Sequence, residues 1–109
     1  MIEWQDFAKI DIRTGTILEA IVFEKAKKPA YQLIIDFGPL GIKKSSAQIT
    51  RHYQPEKLIG KQIVAVVNFP PKQIANFMSE CLVLGVYDNE HEVVLLHPDH
   101  PTENGQPIG

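Results

Sequence analysis

Alternation of apolar and polar positions organises most of this chain. Between residues 10 and 23, Ile10, Ile12, Leu18, Ala20 and Val22 fall on one face, and Asp11, Arg13 and Glu19 on the other. A period of two with frequent β-branched residues predicts a long strand. Gly15 interrupts it, which predicts a bend or bulge. Tyr31, Leu33, Ile35 and Phe37 alternate with Gln32, Ile34 and Asp36 and predict a second strand. Gly38-Pro39-Leu40-Gly41 reads as a turn, and residues 42–49 as a third, mostly polar strand. Residues 63–69 are apolar on both faces and predict a central strand, stopped by Pro70-Pro71. Residues 79–87 and 92–97 predict two further strands, joined by Asp88-Asn89-Glu90-His91.

Three segments break the strand pattern. Residues 2–8 suit a short helical turn with Ile2, Trp4, Phe7 and Ala8 near one side. Residues 50–61 suit one or two helical turns: Pro55 fits a first turn and Gly60 the position past the end. The tail after His97 holds Pro98, Pro101 and Pro107, has no period, and reads as an extended arm. The elements predict a mainly β protein: five or six short strands, with a short helix between strands 3 and 4, in a closed or nearly closed barrel, a two-sheet sandwich being the alternative. One domain is expected over residues 1–109, with an N-terminal turn at 1–8 and a C-terminal arm at 98–109.

Composition changes this picture little. Of the 109 residues, 44% are hydrophobic and 22% charged, as in soluble globular domains. The single cysteine, Cys81, cannot form an internal disulfide, and no secretory signal or membrane span is apparent. A cytoplasmic protein without membrane insertion is the expectation.

Charge changes it more. The net charge is −2, but it is unevenly placed. Residues 37–78 carry Lys43, Lys44, Arg51, Lys57, Lys61 and Lys72 against Glu56 alone, whereas residues 79–109 carry acids and no Lys or Arg. Such asymmetry can create a local positive field in a weakly acidic protein.

The chemistry points to binding rather than catalysis. His97, Asp99 and His100 lie close in sequence, but Pro98 and Pro101 stiffen the stretch, and its spacing resembles no metal motif. Cys81 sits in an apolar strand and reads as a small buried hydrophobe. No base is paired with an orienting group, so no enzyme activity, metal or cofactor is expected. Two stretches stand out instead. Residues 43–51, Lys-Lys-Ser-Ser-Ala-Gln-Ile-Thr-Arg, face water or a ligand, since so polar a strand adds little to a core. Residues 68–80 combine Phe69, Phe77 and Met78 with polar residues outside any period. These apolar side chains suit a binding surface, with Phe69, more than Phe77, expected to tuck into the core or a subunit interface.

Residues 7–20, Phe-Ala-Lys-Ile-Asp-Ile-Arg-Thr-Gly-Thr-Ile-Leu-Glu-Ala, resemble the opening strand of the tRNA-binding-domain family. Within it, Ser45-Ser46-Ala47-Gln48-Ile49-Thr50, Tyr53-Gln54-Pro55-Glu56, Val66-Val67-Asn68-Phe69-Pro70-Pro71 and Ser79-Glu80 together resemble the CsaA branch, described as secretion-related chaperones. The resemblance covers nearly the whole chain. It implies an OB-fold, a homodimer built through the terminal extensions, and binding of unfolded or precursor polypeptides, with tRNA as the alternative ligand. It also implies that Arg13 and Asn68 lie on the binding face. The Ser-Glu pair of tRNA binders precedes Gly-Met, whereas Cys81-Leu82 follow here; a Val-Ser-Gly stretch is replaced by Ser45-Ser46-Ala47. Both departures weigh against tRNA.

The expected sites follow. A peptide would meet Ser46, Gln48, Asn68, Phe77 and Met78, its backbone adding to an exposed strand edge. RNA would meet Arg13, Lys43, Lys44, Arg51, Asn68, Lys72, Ser79 and Glu80.

Overall fold

The computed structural model describes residues 1–109. Its first strand, β1 (Ile12–Val22), is shared by two partners. The second half pairs antiparallel with β2 (Tyr31–Asp36), from Thr16 opposite Asp36 to Val22 opposite Tyr31. The first half pairs antiparallel with β4 (Gln62–Val66), from Ile12 opposite Val66 to Thr16 opposite Gln62. β3 (Ile42–Ala47) pairs on the outer side of β2, and β7 (Leu82–Val83) on the outer side of β4. The sheet order β3-β2-β1-β4-β7 curls into a nearly closed barrel, the OB-fold. A short helix α2 (Pro55–Leu58) connects β3 to β4, with Pro55 in its first turn. Two small hairpins complete the chain: β5 (Lys72–Ile74) with β6 (Phe77–Ser79), and β8 (Gly85–Tyr87) with β9 (Val93–Leu95). No helix is long and apolar enough to cross a membrane.

The core follows the alternation of β2. Tyr31, Leu33 and Ile35 point inward and meet Phe37, Ile17, Ile63 and Leu58, the last closing one end of the barrel from α2. Each fully buried side chain of this kind contributes roughly 1.5–3 kcal/mol relative to exposure.

β1 departs from simple alternation. Its register slips between Ile17 and Glu19, a bulge that adds one residue and shifts the phase. Ile17 therefore turns inward and Leu18 outward, the reverse of the face expected from sequence, while Ala20 stays buried. Val22 is also exposed. Gly15 serves a different purpose from the expected bend. A Cβ there would sit 2.7 Å from Ile35 and 2.8 Å from Phe37, so its missing side chain is what lets the core reach β1.

The C-terminal arm is not free. Beyond Thr16 the first half of β1 has left β2, and the arm occupies the vacated side. Thr14 N–H donates to Gln106 O at 3.1 Å, Gly105 N–H to Thr14 O at 2.7 Å, and Ile108 N–H to Ile12 O at 3.0 Å. Side chains tighten this dock: Thr14 Oγ1 donates to Glu103 O at 2.9 Å, and Gln62 exchanges two hydrogen bonds with Thr102. Gly105 lies at φ 87°, in the left-handed region glycine favours, and a Cβ would meet Phe37 O.

The N-terminal helix α1 (Trp4–Ala8) buries none of its residues. It is tied down behind its end, where Asn68 Nδ2 donates to Lys9 O at 2.8 Å and Asn68 Oδ1 accepts from Asp11 N–H at 3.0 Å.

Candidate ligand-binding groove

One end of β3 is bound to the chain that follows β6 by side chains as well as backbone. Lys44 N–H donates to Glu80 Oε1 at 2.9 Å, and Glu80 N–H returns a bond to Lys44 O at 2.8 Å. Ser46 N–H donates to Ser79 Oγ at 3.1 Å, and the fully buried Ser45 hydroxyl donates to Cys81 O at 3.0 Å. These bonds lace the barrel shut over residues 44–46. Beyond them the two walls diverge and leave an open groove of about 880 Å³.

The groove has one wall from residues 46–50 and the other from residues 82–85 with Tyr87. Its lip carries Phe69, Pro70, Lys72 and Ile74, with Lys28 and Pro29 from the basic loop before β2. Tyr87 and His91 stack at the far end, ring centroids 4.5 Å apart and planes 5° from parallel. His91 holds φ 65° in the turn between β8 and β9, a conformation uncommon for a side-chain-bearing residue. Asp88 shapes that turn: its carboxylate accepts from Glu90 N–H and Glu92 N–H, both at 2.9 Å, and lies 2.6 Å from His52 Nε2. The Glu92 amide, followed by His52, holds the Asp88 carboxyl below its ordinary range.

Of the residues singled out by sequence, Ser46, Gln48, Lys72, Ser79 and Glu80 line this groove. Two of them have structural work: Ser79 and Glu80 lace β3, so these polar groups are already satisfied. The remaining seven lie outside its lining. Arg13 bonds Asp11 at 2.5 Å and Gly105 O at 2.9 Å, holding the arm. Asn68 holds the N-terminal segment with both ends of its amide. Lys43 sits on β3 opposite Ile35, and Lys44 places its ammonium 5.4 Å from the Phe77 ring centroid. Arg51 reaches Glu90 at 3.6 Å across the surface. Met78 is part-exposed on β6, away from the groove.

Phe77 is a correction. It is 8% exposed and packs with Phe23 and Ala30 in a small second core, its ring 5.4 Å from that of Phe23. Phe69, expected to be the buried one, is 55% exposed in the groove. The pairing of β5 with β6 explains the exchange: Phe77 opposes Ile74 and turns under the hairpin, while Pro70-Pro71 leave Phe69 on the outside. Tyr87 and His91 were not singled out as site residues. Their stack depends on the left-handed turn, which strand alternation does not encode.

The remaining candidates disperse. His97 Nδ1 contacts Pro98 O, and His100 meets only its neighbour Asp99 at the surface. Cys81 is buried, and that burial pushes its thiol up to about 11, so it is a packed thiol and not a thiolate at neutral pH.

Comparisons with known proteins agree with this architecture. The model of the tRNA binding domain family matches residues 12–107. A CsaA chaperone from Bacillus anthracis is 54% identical, with TM-score 0.95, over 100% of this chain and 99% of its own. A CsaA chaperone from Picrophilus torridus is 56% identical, with TM-score 0.94, over the whole of both chains. The methionine–tRNA ligase of Bacteroides fragilis is 35% identical over 107 residues, which is 98% of this chain and 16% of the ligase. The chain thus spans about a sixth of the length of that relative. By the family match across most of its length, the chain belongs to the tRNA-binding-domain family of OB-fold proteins.

Proposed function

We propose that this chain is a non-catalytic, chaperone-like module that binds exposed segments of unfolded or precursor polypeptides in the groove, within the cytoplasm. The observation that carries this reading is the groove's lining. Phe69, Pro70, Leu82 and Leu84 present apolar surface, with polar main chain and side chains beside them. An unfolded segment needs both kinds of partner. The full-length similarity to two proteins described as CsaA chaperones supports it.

A specific observation also favours RNA. Lys28 and Lys72 flank the groove, and the Tyr87–His91 stack offers a flat surface for a base. The family match to a tRNA binding domain supports this second reading. Salt separates the two. Labelled unfolded polypeptide and labelled total tRNA are titrated at low and high salt. Polypeptide binding that survives salt supports the first reading. tRNA binding that falls by roughly 0.7–0.9 log units per log unit of salt for each phosphate contacted, without polypeptide affinity, replaces it.

The module is further proposed to act as a homodimer. Trp4 is 87% exposed, with Ile2 and Ile10 also uncovered, an apolar face that α1 does not bury in its own chain. The C-terminal arm is docked on its own barrel, so the N-terminal segment is the bridging element. A monomer at micromolar concentration in sedimentation removes this proposal.

A further inference from the structure

The groove exposes a strand edge, and its register shows which main-chain groups are free. β7 and β8 belong to different sheets but follow one another with only Leu84 between them, over residues 82–87. In the first part, Leu84 N–H donates to Val64 O at 2.9 Å. In the second, Leu96 N–H donates to Leu84 O at 3.1 Å and Asp88 N–H to Glu92 O at 2.8 Å. Antiparallel pairs alternate between bonded and non-bonded, so the even residues of this run face β4 and then β9. The N–H and C=O of Val83, Gly85 and Tyr87 therefore point the other way. All three residues line the groove.

Neighbouring edges are covered. β9 turns Leu95 N–H outward, and Tyr53 Oη accepts it at 2.9 Å. β3 has the outward amides of Lys44 and Ser46 taken by Glu80 and Ser79. Just past the end of β3, Gln48 stands on the opposite wall of the groove. Exposed edges in soluble proteins are blunted by Lys, Pro, bulges or a covering segment. Lys and Pro stand at the lip of the groove, but no group of the chain bonds to the main chain of Val83, Gly85 or Tyr87.

We infer that the groove is an open seam in the barrel that takes an extended polypeptide as an added strand, hydrogen-bonded to the main chain of Val83, Gly85 and Tyr87. The inference rests on the polypeptide reading of the groove and states how that ligand is held. The edge repeats a donor and an acceptor about every 7 Å, the two-residue period of a strand. A polypeptide backbone carries N–H and C=O groups on one side at that two-residue period, whereas an RNA backbone offers charged phosphate oxygens and one 2′-hydroxyl per nucleotide, not paired amide donors and carbonyl acceptors. Main-chain bonding supplies affinity without regard to sequence, and Phe69 at the lip favours apolar side chains.

Residue-resolved hydrogen exchange tests this on the full chain, free and saturated with reduced, carboxymethylated α-lactalbumin. The expected result is that the amides of Val83, Gly85 and Tyr87 exchange fast in the free protein and at least about tenfold slower in the complex. The amides of Leu84 and Val86, already bonded within the sheet, should change little. If the polypeptide binds and the three amides gain no protection, strand insertion is wrong while the polypeptide reading stands. If the polypeptide does not bind at all, both fall. Protection that rises with the protein's own concentration, or that total tRNA produces equally, also overturns the inference by giving the seam a different occupant.

Discussion

The two ends of the seam beside β3 carry similar polar sequence and meet different fates. Over residues 44–46 the strand is laced by Ser79, Glu80 and Cys81, and its amides are satisfied. A few residues on, the walls separate and the facing main chain of Val83, Gly85 and Tyr87 is unused. The lesson is that polar residues on a strand do not by themselves mark a binding face. Ser45, Ser46, Ser79 and Glu80 hold the barrel together, and the walls part where such lacing stops.

The sharpest contrast is between two phenylalanines. Phe77→Ala, on the laced side, should cost about 3 kcal/mol, because it empties a packed site against Phe23 and Ala30. Phe69→Ala, in the groove, should change stability by less than about 0.5 kcal/mol and weaken polypeptide binding about tenfold, or about 1.4 kcal/mol. Urea unfolding and fluorescence titration read the two quantities. Equal stability losses would erase the distinction between the regions.

Next in size is the lace itself. Glu80→Ala leaves the part-buried Lys44 amide without its acceptor and should cost about 1–2 kcal/mol. Gln48→Ala, whose side chain bonds nothing in the chain, should be neutral to within about 0.5 kcal/mol. A neutral Glu80→Ala would show that water replaces the carboxylate and that the lace is not structural.

Cys81 reports on the same region chemically. With its thiol pushed up to about 11, alkylation of the native protein should be slow at neutral pH and should accelerate only as pH approaches that value or as the chain unfolds. Fast labelling at pH 7 would mean that the laced half opens locally.

The smallest effect belongs to the far end of the open half. Asp88 is held below its ordinary carboxylate range, so its folded form favours the charged state. A depressed value contributes stability that is complete above the unfolded pKa of about 3.9 and is lost as pH falls through the folded value. The Glu90 and Glu92 amides should therefore lose exchange protection only in acid, and Asp88→Asn should flatten that dependence. Protection that is flat in the parent chain would remove Asp88 as the anchor of the Tyr87–His91 turn.

Much of the barrel was legible because its determinants are local. Tyr31, Leu33 and Ile35 alternate as they pack, Pro55 begins α2, and Pro70-Pro71 end the apolar stretch. The failures share a physical cause. One extra residue at Leu18 reverses a face without changing composition. Whether Phe69 or Phe77 is buried depends on how a hairpin folds under the barrel. The contacts of Arg13 with Gly105 and of Asn68 with Lys9 join residues far apart in sequence, so the structural part these two side chains play could not be read from the chain. The groove was half visible: its polar wall stood out, whereas its free main chain cannot be read from side-chain identity at all.

The dock of the arm has a consequence for chain connectivity. Ile108 N–H donates to Ile12 O, so the arm returns to the first residue of β1 and the barrel with its arm is nearly a ring. A ring can be opened elsewhere. A circular permutant joined across the old termini and cut in the solvent-exposed loop at residues 24–28 keeps every strand pairing intact, and should refold to the same barrel.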